Sequence, residues 1–520
     1  MDNNVRGVPR RLPRACLSRV PLGRSLVAFA CSVALGACAV GPDFKAPAAP
    51  SVTSVTEQPM PTQTMATPVA GGEPQQFKAR LALDSHWWTQ YGSPELDRLV
   101  DGALTNSPTI DSAQAALRDA QQQLNAQRGA LFPSVSGSLG ASREKINGAS
   151  QGFPGPFNFL FTLYNASVNL SYNFDVFGGV RRGIEADEAA RDAQREELQA
   201  TYQTLAANVV TAAVLEASLR AQIDATHDLV ASAQHEVELA RKQFELGGSP
   251  RSDVLQAESN LASVEATVPP LQQQLAEARS QLAVYVGKLP GEYGEQPLDL
   301  AALRLPPDIP VMVPSEVVRQ RPDIRRAQAQ LHQASARVGV ATANMFPQIG
   351  ITGSFGDSAE TLGSLLKSNV FSLAGNLTQP LFQGGTLNAK RRAAIAEYDQ
   401  SYAQYRQTVL LAFKNVADTL RALEHDAQTL NAQYRAQTAA ADSLHLIEQR
   451  FGLGGANNLD LLIAQQQYQR SRIAYVQAQA ARYQDTAALF LALGGDWSSP
   501  AEDAMQTAPR AQTQTQTQTH

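Results

Sequence analysis

Two acidic side chains occupy equivalent places in this 520-residue chain, and their repetition is its first sign of chemistry. Asp253 follows a Gly-Gly pair at 247–248, and Asp460 follows a second Gly-Gly pair at 454–455, 207 residues further on. A carboxylate after such a turn can cap the next helix, because the helix dipole favours an acid in the first turn. It can also attract cations where several copies converge in a narrow pore. Both interpretations are open at this point.

Patterns of catalytic and metal-binding residues are absent from the sequence. The seven histidines include no pair at metal-ligand spacing, since His227 and His235 are eight residues apart and His425 and His445 are twenty apart. There is no Gly-x-Ser-x-Gly, no phosphate-binding loop with a lysine and no convincing pair of carboxylates. We therefore predict that the protein is not an enzyme, binds no metal and carries no cofactor other than a covalent lipid.

Cys38 is the residue on which that lipid is expected. A basic start and an apolar stretch at 26–35, too short for a permanent membrane anchor, precede Leu35-Gly36-Ala37-Cys38. These four residues resemble the bacterial lipobox, in which the thiol is acylated and the cysteine becomes the first mature residue. The sequence thus predicts a lipoprotein signal peptide at 1–37 and a lipid anchor and tether at 38–85. The alternative is a plain signal peptide with an incidental cysteine.

The charge and the ends of the chain limit the possible partners. After removal of 1–37 the chain has 37 basic and 47 acidic side chains, a formal charge of −10, which argues against nucleic-acid binding. Cys38 is then the only cysteine, so no disulfide can form within the chain. The Thr-Gln repeats near the end predict a disordered tail at 498–520.

The sequence is duplicated over most of its length. Leu131-Phe132-Pro133 recurs as Met345-Phe346-Pro347 at an offset of 214, and the Gly-Gly motifs recur at an offset of 207. A unit of about 200 residues is too long for a solenoid repeat. We predict two structurally equivalent repeats, at 86–290 and 316–497, joined by a linker at 291–315.

Each repeat contains a run of residues suited to a very long helix. Neither proline nor glycine occurs at 184–246 or at 386–451, and apolar residues recur about every 3.5 positions in the first run. A helix of this length extends about 95 Å and needs partner helices along it. We predict helical hairpins that turn at tips 247–252 and 454–459. Pro269-Pro270 occurs in the first return helix only and predicts a kink there.

Four segments alternate between polar and apolar residues and predict β-strands. They lie at about 134–140, 165–174, 348–356 and 370–378. Alternation also fits a soluble, half-buried hairpin, but a lipoprotein with hundred-ångström helices favours strands that span a membrane. Four strands cannot close a barrel, and open edges are not tolerated in lipid. The strands must then be shared in an oligomer, whose number of copies the sequence does not fix.

Several motifs together resemble one known family, although each is weak alone. They are Cys38-x-x-Gly41-Pro42-Asp43-Phe44, His86-Trp87-Trp88, Phe174-Asp175-x-Phe177-Gly178-Gly179 and Arg321-Pro322-Asp323-Ile324-Arg325. The chain is similar to the outer-membrane factors of tripartite efflux systems, in the OprM/NodT lipoprotein branch of the TolC superfamily. The resemblance implies an α+β membrane protein, a homotrimer in which a long α-helical periplasmic barrel continues an outer-membrane β-barrel shared by three protomers.

The resemblance also implies roles for particular residues. Asp460 would line the constricted periplasmic mouth, with Asp253 at the equivalent first-half position. Family members often carry a second acid one turn further on, where this chain has Ile463, so a double acidic ring is in doubt. Gly247, Gly248, Gly454 and Gly455 would contact a periplasmic adaptor protein, or serve only as turn residues.

The function expected from these features is that of a passive duct in the outer membrane. It would export drugs or other small toxic solutes that an adaptor and an inner-membrane pump of the RND type deliver. The same duct could instead serve protein secretion or metal-ion efflux. A structural periplasmic coiled-coil lipoprotein is a further alternative, and it predicts no membrane-spanning strands.

Overall fold

The computed structural model describes residues 39–48, 50, 54–79, 84–147, 158–311, 314–365, 367 and 369–494. The predicted signal peptide 1–37, the predicted lipidation site Cys38 and the predicted tail 498–520 lie outside the described residues. The chain divides into two compact units. Among the described residues, the strand unit includes those within 39–42, 129–183 and 337–392. The helical unit includes those within 43–128, 184–336 and 393–494.

Helices account for most of the described chain, and two of them contain 67 residues each. In chain order they are α1 (Pro94–Asn106), α2 (Pro108–Gly129), α3 (Gly179–Glu245), α4 (Arg251–Glu265), α5 (Val268–Tyr285), α6 (Pro314–Gln320), α7 (Pro322–Ala343), α8 (Thr386–Gly452) and α9 (Asn458–Leu493). The strands are β1 (Gln76–Ala79), β2 (Ser134–Asn147), β3 (Asn158–Phe174), β4 (Asp308–Val311), β5 (Gln348–Ala359) and β6 (Asn369–Thr378).

The apolar stripe of α3 is buried as its periodicity predicts. Leu198, Tyr202, Leu205 and Val209 are each less than a tenth exposed. Glu216 interrupts the stripe, and the structure gives the reason: its Oε1 accepts hydrogen bonds from Arg220 at 2.9 Å and from Arg279 of α5 at 3.4 Å. The buried charge is therefore paired with two cations, as a charge removed from water requires.

Long helices pair into hairpins in both halves of the chain. Arg241 of α3 and Glu258 of α4 form a 2.6 Å ion pair across the first hairpin. The rings of Tyr434 in α8 and Tyr475 in α9 lie 6.2 Å apart across the second. Among the described residues, no helix combines the length and the apolar composition needed to cross a membrane.

The predicted kink at Pro269-Pro270 is confirmed. Helix α4 ends at Glu265, a new helix α5 begins at Val268, and the two prolines follow in its first turn. Proline has no N–H for the helix ladder, and its ring crowds the preceding turn. The corresponding helix of the second half, α9, runs unbroken from Asn458 to Leu493.

The prediction of a free tether was wrong for residues 62–79. Strand β1 pairs in parallel with β4, and Thr64 and Gln75 are buried. Arg482 of α9, which is fully buried, donates to the carbonyl of Gly71 at 2.7 Å and to Gln75 Oε1 at 3.1 Å. Because these carbonyl and side-chain oxygens accept hydrogen bonds from the two terminal nitrogens of the arginine, the segment is fixed to the helix despite a composition typical of a linker.

The predicted linker at 291–315 is also part of the packed core. Leu298, Leu300, Leu303 and Leu305 are buried, and Ile309 of β4 is fully buried. These leucines join a core that contains Trp87, Tyr91 and Tyr483. Apolar burial of this kind makes the segment a structural element and not a spacer.

The tyrosines of that core are hydrogen-bonded through their hydroxyls. Tyr91 donates to the Tyr483 carbonyl at 2.8 Å, and Tyr483 donates to the Leu303 carbonyl at 2.8 Å. Burial raises the pKa of both hydroxyls. Each therefore stays protonated and continues to donate, which connects α9 to the segment before α1 and to the segment before β4.

The strand unit is built on one antiparallel sheet with the order β2-β3-β5-β6. On one face the apolar side chains are exposed; they include Val135, Leu139, Val168, Phe355, Phe371, Leu373 and Leu377. On the other face Ser138 and Ser167 share a hydrogen bond of 2.7 Å, and Ser354 and Ser372 share one of 2.8 Å. Leu139 is 85% exposed and Phe371 is 81% exposed, so the apolar face is not covered within one chain.

The polar face of this sheet is neutral over most of its height. Alternation places on it only glycine, alanine, valine and side chains with a hydroxyl or an amide, at 134–142 of β2, 165–173 of β3, 350–358 of β5 and 370–378 of β6. Asp357, the one acid in these segments, points to the opposite face. A layer of hydroxyl and amide groups thus covers one side of the sheet.

Candidate functional site at the hairpin tips

The first tip is a tight turn that follows α3. Gly247 has a φ of +73°, and the N–H of Gly248 donates to the Gln243 carbonyl at 2.8 Å. A bond from the third residue past the helix back to its last turn, with a left-handed glycine just before that residue, is the usual glycine-based end of a helix. Gly247 is needed there because other residues strongly disfavour this φ.

The second tip repeats this geometry after α8. Gly454 also has a φ of +73°, and Gly455 donates its N–H to the Arg450 carbonyl at 2.7 Å. In addition, Arg450 Nη2 donates to the Gly455 carbonyl at 2.9 Å. The four glycines therefore shape the turns, and their role toward an adaptor stays a prediction.

Asp460 caps the helix that starts after the second tip. Asn457 Oδ1 accepts from the Asp460 N–H at 2.9 Å, and Asp460 Oδ2 accepts from the Asn457 N–H at 3.1 Å. This reciprocal pair is a capping box, so the helix-cap interpretation is confirmed for Asp460. Asp253 stands in the first turn of α4, where Pro250 occupies the cap position and Ser252 donates to Asp253 Oδ1 at 3.3 Å.

Contacts between the return helices bring the two tips together. Asn260 Nδ2 of α4 donates to Gln465 Oε1 of α9 at 3.4 Å, and both residues are buried. Asp253 and Asp460 each lie within two turns of this contact, on neighbouring helices. Ile463, on the next turn after Asp460, is 57% exposed.

The most exposed apolar side chains at the tips are leucines that the sequence analysis did not select. Leu246 is 87% exposed and Leu453 is 88% exposed, directly before the left-handed glycine in each turn. The sequence contained the signal, because both leucines belong to the duplicated Phe-x-Leu-Gly-Gly motif. Each tip therefore presents one exposed leucine that is available for contact with another molecule.

Glu236 is an acid near the tips that sequence reasoning also missed. Burial, and to a smaller extent the negative charge of Glu448 on α8, raise the pKa of Glu236 to about 7. In the folded protein this carboxyl group is therefore partly protonated at neutral pH. A protonated acid is the less costly form where a carboxylate is partly desolvated beside a like charge.

Replacing Glu236 with Gln is expected to stabilise the first hairpin at alkaline pH only. The folded pKa is raised, so the stability of the wild type is complete below the unfolded pKa and falls as the pH rises through about 7. Hydrogen exchange of the peptide 230–245, compared between variant and wild type at pH 5 and pH 8, measures this. Glu448→Gln should give a smaller gain, since burial is the main cause. Equal protection at both pH values in Glu236→Gln would contradict the expectation.

In the described part of the chain, no group of three or more histidine, cysteine, aspartate or glutamate residues could hold a metal ion. The site is instead made of turns, caps, exposed leucines and acids. Such a site is suited to docking and to control of a passage.

Long helical hairpins and a sheet with one exposed apolar face are features of outer-membrane ducts. The model of the outer membrane efflux protein family matches this chain twice, at residues 99–288 and 313–495. The chain therefore belongs to the outer membrane efflux protein family. Its function is that of an outer-membrane channel component of an efflux system.

Individual relatives agree with this assignment. The pyoverdine export outer membrane protein OpmQ of Pseudomonas aeruginosa is 30% identical over 418 residues, covering 79% of this chain and 88% of OpmQ. The antibiotic efflux pump outer membrane protein ArpC of Pseudomonas putida is 27% identical over 480 residues, covering 91% of this chain and 96% of ArpC. The solved structure of the outer-membrane channel OprN superposes with a TM-score of 0.78 at 27% identity, covering 88% of this chain and all of OprN.

Proposed function

We propose that three copies of this chain form a passive duct that carries drugs or other small toxic solutes across the outer membrane. The observation that carries the proposal is the four-stranded sheet, whose apolar face is exposed and whose edge strands β2 and β6 each pair with one strand only in the described chain. In lipid each unpaired backbone N–H or C=O group of an edge strand would cost several kcal/mol. Each edge strand must therefore pair with an edge strand of another copy.

Three sheets of this kind would close a barrel without a mismatch in strand direction. Neighbouring strands from β2 to β6 are antiparallel, so β6 of one copy runs antiparallel to β2 of the next. Twelve strands exceed the minimum of eight that single-chain outer-membrane barrels use. The apolar faces would then contact lipid and the serine-rich faces the lumen. The two matches of the family model support the proposal that the two halves are structural repeats.

Partners would contact the hairpin tips. We assign the docking of a periplasmic adaptor to Leu246 and Leu453 together with the turn glycines Gly247, Gly248, Gly454 and Gly455. The adaptor would connect the duct to an inner-membrane pump of the RND type, which selects the cargo. A lipid on Cys38 would hold the N-terminus in the membrane; an unmodified Cys38 thiol in mass spectra of the mature protein would contradict that part.

Loss of the protein should sensitise cells to several unrelated toxic compounds. The duct is the last step of export, so solutes delivered by the pump should accumulate when the gene is deleted. Inhibitory concentrations of antibiotics, dyes and organic solvents are expected to fall several-fold and to recover when the gene is restored from a plasmid. Unchanged sensitivity, with loss of a secreted protein or of metal tolerance instead, would assign a different cargo to the same duct.

Neutralising Asp460 should alter the mouth of the duct. Three copies of this carboxylate would form a ring that favours cations, so Asp460→Asn should lower cation preference in planar bilayers. Asp460→Glu keeps both the charge and the capping box and should behave like the wild type. Asp253→Asn is the matched first-half control and should have the smaller effect. If Asp460→Asn and the wild type show the same cation preference, Asp460 does not line the mouth.

A further inference from the structure

Two aromatic side chains join the halves of the chain where the central strands of the sheet end. The rings of Phe177 and Phe346 are stacked, with centroids 4.9 Å apart and an interplanar angle of 19°. Phe177 follows β3, and Phe346 precedes β5, the strand that pairs with β3. The last register pair is Phe174 opposite Ile349, and Phe177 and Phe346 each lie three residues beyond it.

The corresponding ends of the two edge strands also carry phenylalanines. Phe132 stands in Leu131-Phe132-Pro133 before β2 as Phe346 stands in Met345-Phe346-Pro347 before β5. Phe382 comes shortly before a pair of glycines and the 67-residue helix α8, with Gln383 between, whereas Phe177 lies directly before the pair of glycines at the start of the 67-residue helix α3. Phe132 is 72% exposed and Phe382 is 90% exposed.

These two exposed rings cannot meet within one chain. Phe132 lies just before β2 and Phe382 just after β6, and these strands are the opposite edges of the sheet. They would come together if β6 of one copy lay beside β2 of another. Burying two largely exposed phenylalanines is favourable in water, and stacking them adds to the gain from burial alone.

We propose that Phe382 of one copy stacks on Phe132 of the neighbouring copy, reproducing between chains the contact of Phe177 with Phe346. The proposal rests on the proposed oligomeric duct and specifies the seam by which its sheets join. The occupant of this surface is a second copy of the same chain.

The stacked pair fixes the register of the seam. Five residues back from Phe382 is Leu377, and five residues forward from Phe132 is Gly137. Continuing the count places Gly375 opposite Leu139 and Leu373 opposite Ala141. All six residues belong to the apolar face, whereas a shift by one residue would set apolar side chains against the serine face.

The sizes of the opposed residues agree with this register. Each pair sets one leucine against a glycine or an alanine. A Cβ atom added at Gly137 or at Gly375 would meet nothing within 4 Å in the single chain, so there is room for a leucine of another copy. This complementarity is independent of the aromatic residues from which the register was derived.

Disulfide formation tests the register. In Leu377→Cys/Gly137→Cys the two thiols would be directly opposite, at a Cβ separation of roughly 4.5–5.5 Å that a small backbone adjustment closes. Mild oxidation of outer membranes is expected to give covalent trimers that survive boiling in SDS and return to monomers with reductant. Leu377→Cys/Leu139→Cys is the matched control, two residues out of register and roughly 7–8 Å apart on the diagonal, and should give little product. Either single-cysteine variant can give dimers at most.

The aromatic contact is tested by a double-mutant cycle on trimer dissociation in detergent. Phe132→Leu and Phe382→Leu should each speed dissociation, and the double variant should be no faster than the faster single variant, because one stack is lost in all three. The coupling expected for one aromatic pair is roughly two- to tenfold. Phe177→Leu/Phe346→Leu removes the stack within a chain and should leave the dissociation rate nearly unchanged.

The possible results distinguish a failure of the proposed seam from a failure of the proposed duct. If trimers form but Leu377→Cys cross-links to Leu139→Cys in preference to Gly137→Cys, the register is wrong and the duct stands. If the effects of Phe132→Leu and Phe382→Leu add, the rings contact lipid separately and the stack is wrong. If no variant yields trimers and the wild type conducts no ions, the proposed function itself fails.

Discussion

Replacing Arg482 with Met is expected to release residues 62–79 from the helical unit and to lower its free energy of unfolding by about 3–5 kcal/mol. The guanidinium group is fully buried and donates to Gly71, Glu73, Gln75 and Thr64. Methionine fills similar space but donates nothing, so the buried oxygens lose their partners. Chemical denaturation and limited proteolysis within 62–79 measure the two effects.

The nearby acids give the same variant a pH dependence. Burial, a hydrogen bond with Asp485 and the charge of Asp485 raise the pKa of Asp426 to about 7, and Arg482 acts in the opposite direction. Without the arginine, the pKa of Asp426 should rise further. A raised carboxyl pKa makes stability fall as the pH rises through that value, so Arg482→Met should lose more at pH 8 than at pH 5. Arg470→Met, an exposed arginine of the same helix, is the control. Wild-type stability in Arg482→Met would show that the segment is held by β1 and β4 alone.

Replacing Arg321 with Met is expected to loosen the end of α9 and to cost about 2–3 kcal/mol. Its side chain is 8% exposed, and its Nε and Nη2 donate to Asp323 at 3.0 and 2.6 Å. Its Nη1 donates to the carbonyl of Ala492 in the last turn of α9. One arginine therefore connects the start of α7 to the end of a helix about 170 residues away in the chain.

Hydrogen exchange of the peptide 484–493 should detect the loosened helix end. The amides there are expected to exchange faster in Arg321→Met, while the centre of α9 stays protected. Arg319→Met, on the exposed side of α6, is the matched control. Faster exchange throughout α9 would indicate global unfolding instead of a local role for Arg321.

The two arginines show what the sequence could predict and what it could not. Arg321 stands in the Arg-Pro-Asp-Ile-Arg motif, so its importance was visible before its contacts were known. Arg482 was not, because its partners belong to a segment rich in Pro, Thr and Ala that composition assigns to a tether. Composition describes what a segment does alone, and here a buried charge elsewhere in the chain determines its conformation.

Local signals predicted the long elements best. The absence of proline and glycine placed α3 and α8 to within a few residues, and Pro269-Pro270 placed the break between α4 and α5. The strands proved longer than the alternating segments: β2 continues through Arg143 to Asn147, where the residues no longer alternate cleanly. There the ladder to β3 sets the end of the strand, and a pairing partner cannot be read from one segment alone.

The sequence predicted which acids follow the tips but not which of them would form a capping box. Asp253 and Asp460 look equivalent in the sequence, yet only Asp460 completes a capping box, because Asn457 precedes it where Pro250 precedes Asp253. The sequence did not single out the exposed Leu246 and Leu453, because the repeated glycines beside them already account for the motif. A turn motif specifies the backbone, and the side chain it displays has to be considered separately.

The uncharged polar face of the sheet affects how solutes would interact with it. Hydroxyl and amide groups exchange hydrogen bonds with water as easily as with a solute, so neither anions nor cations would be held or repelled there. In the proposed duct, a lumen wall of this kind would set no preference by charge. Selection of the solute would then be left to the partners proposed to load the duct, which is compatible with relatives named for pyoverdine export and for antibiotic efflux.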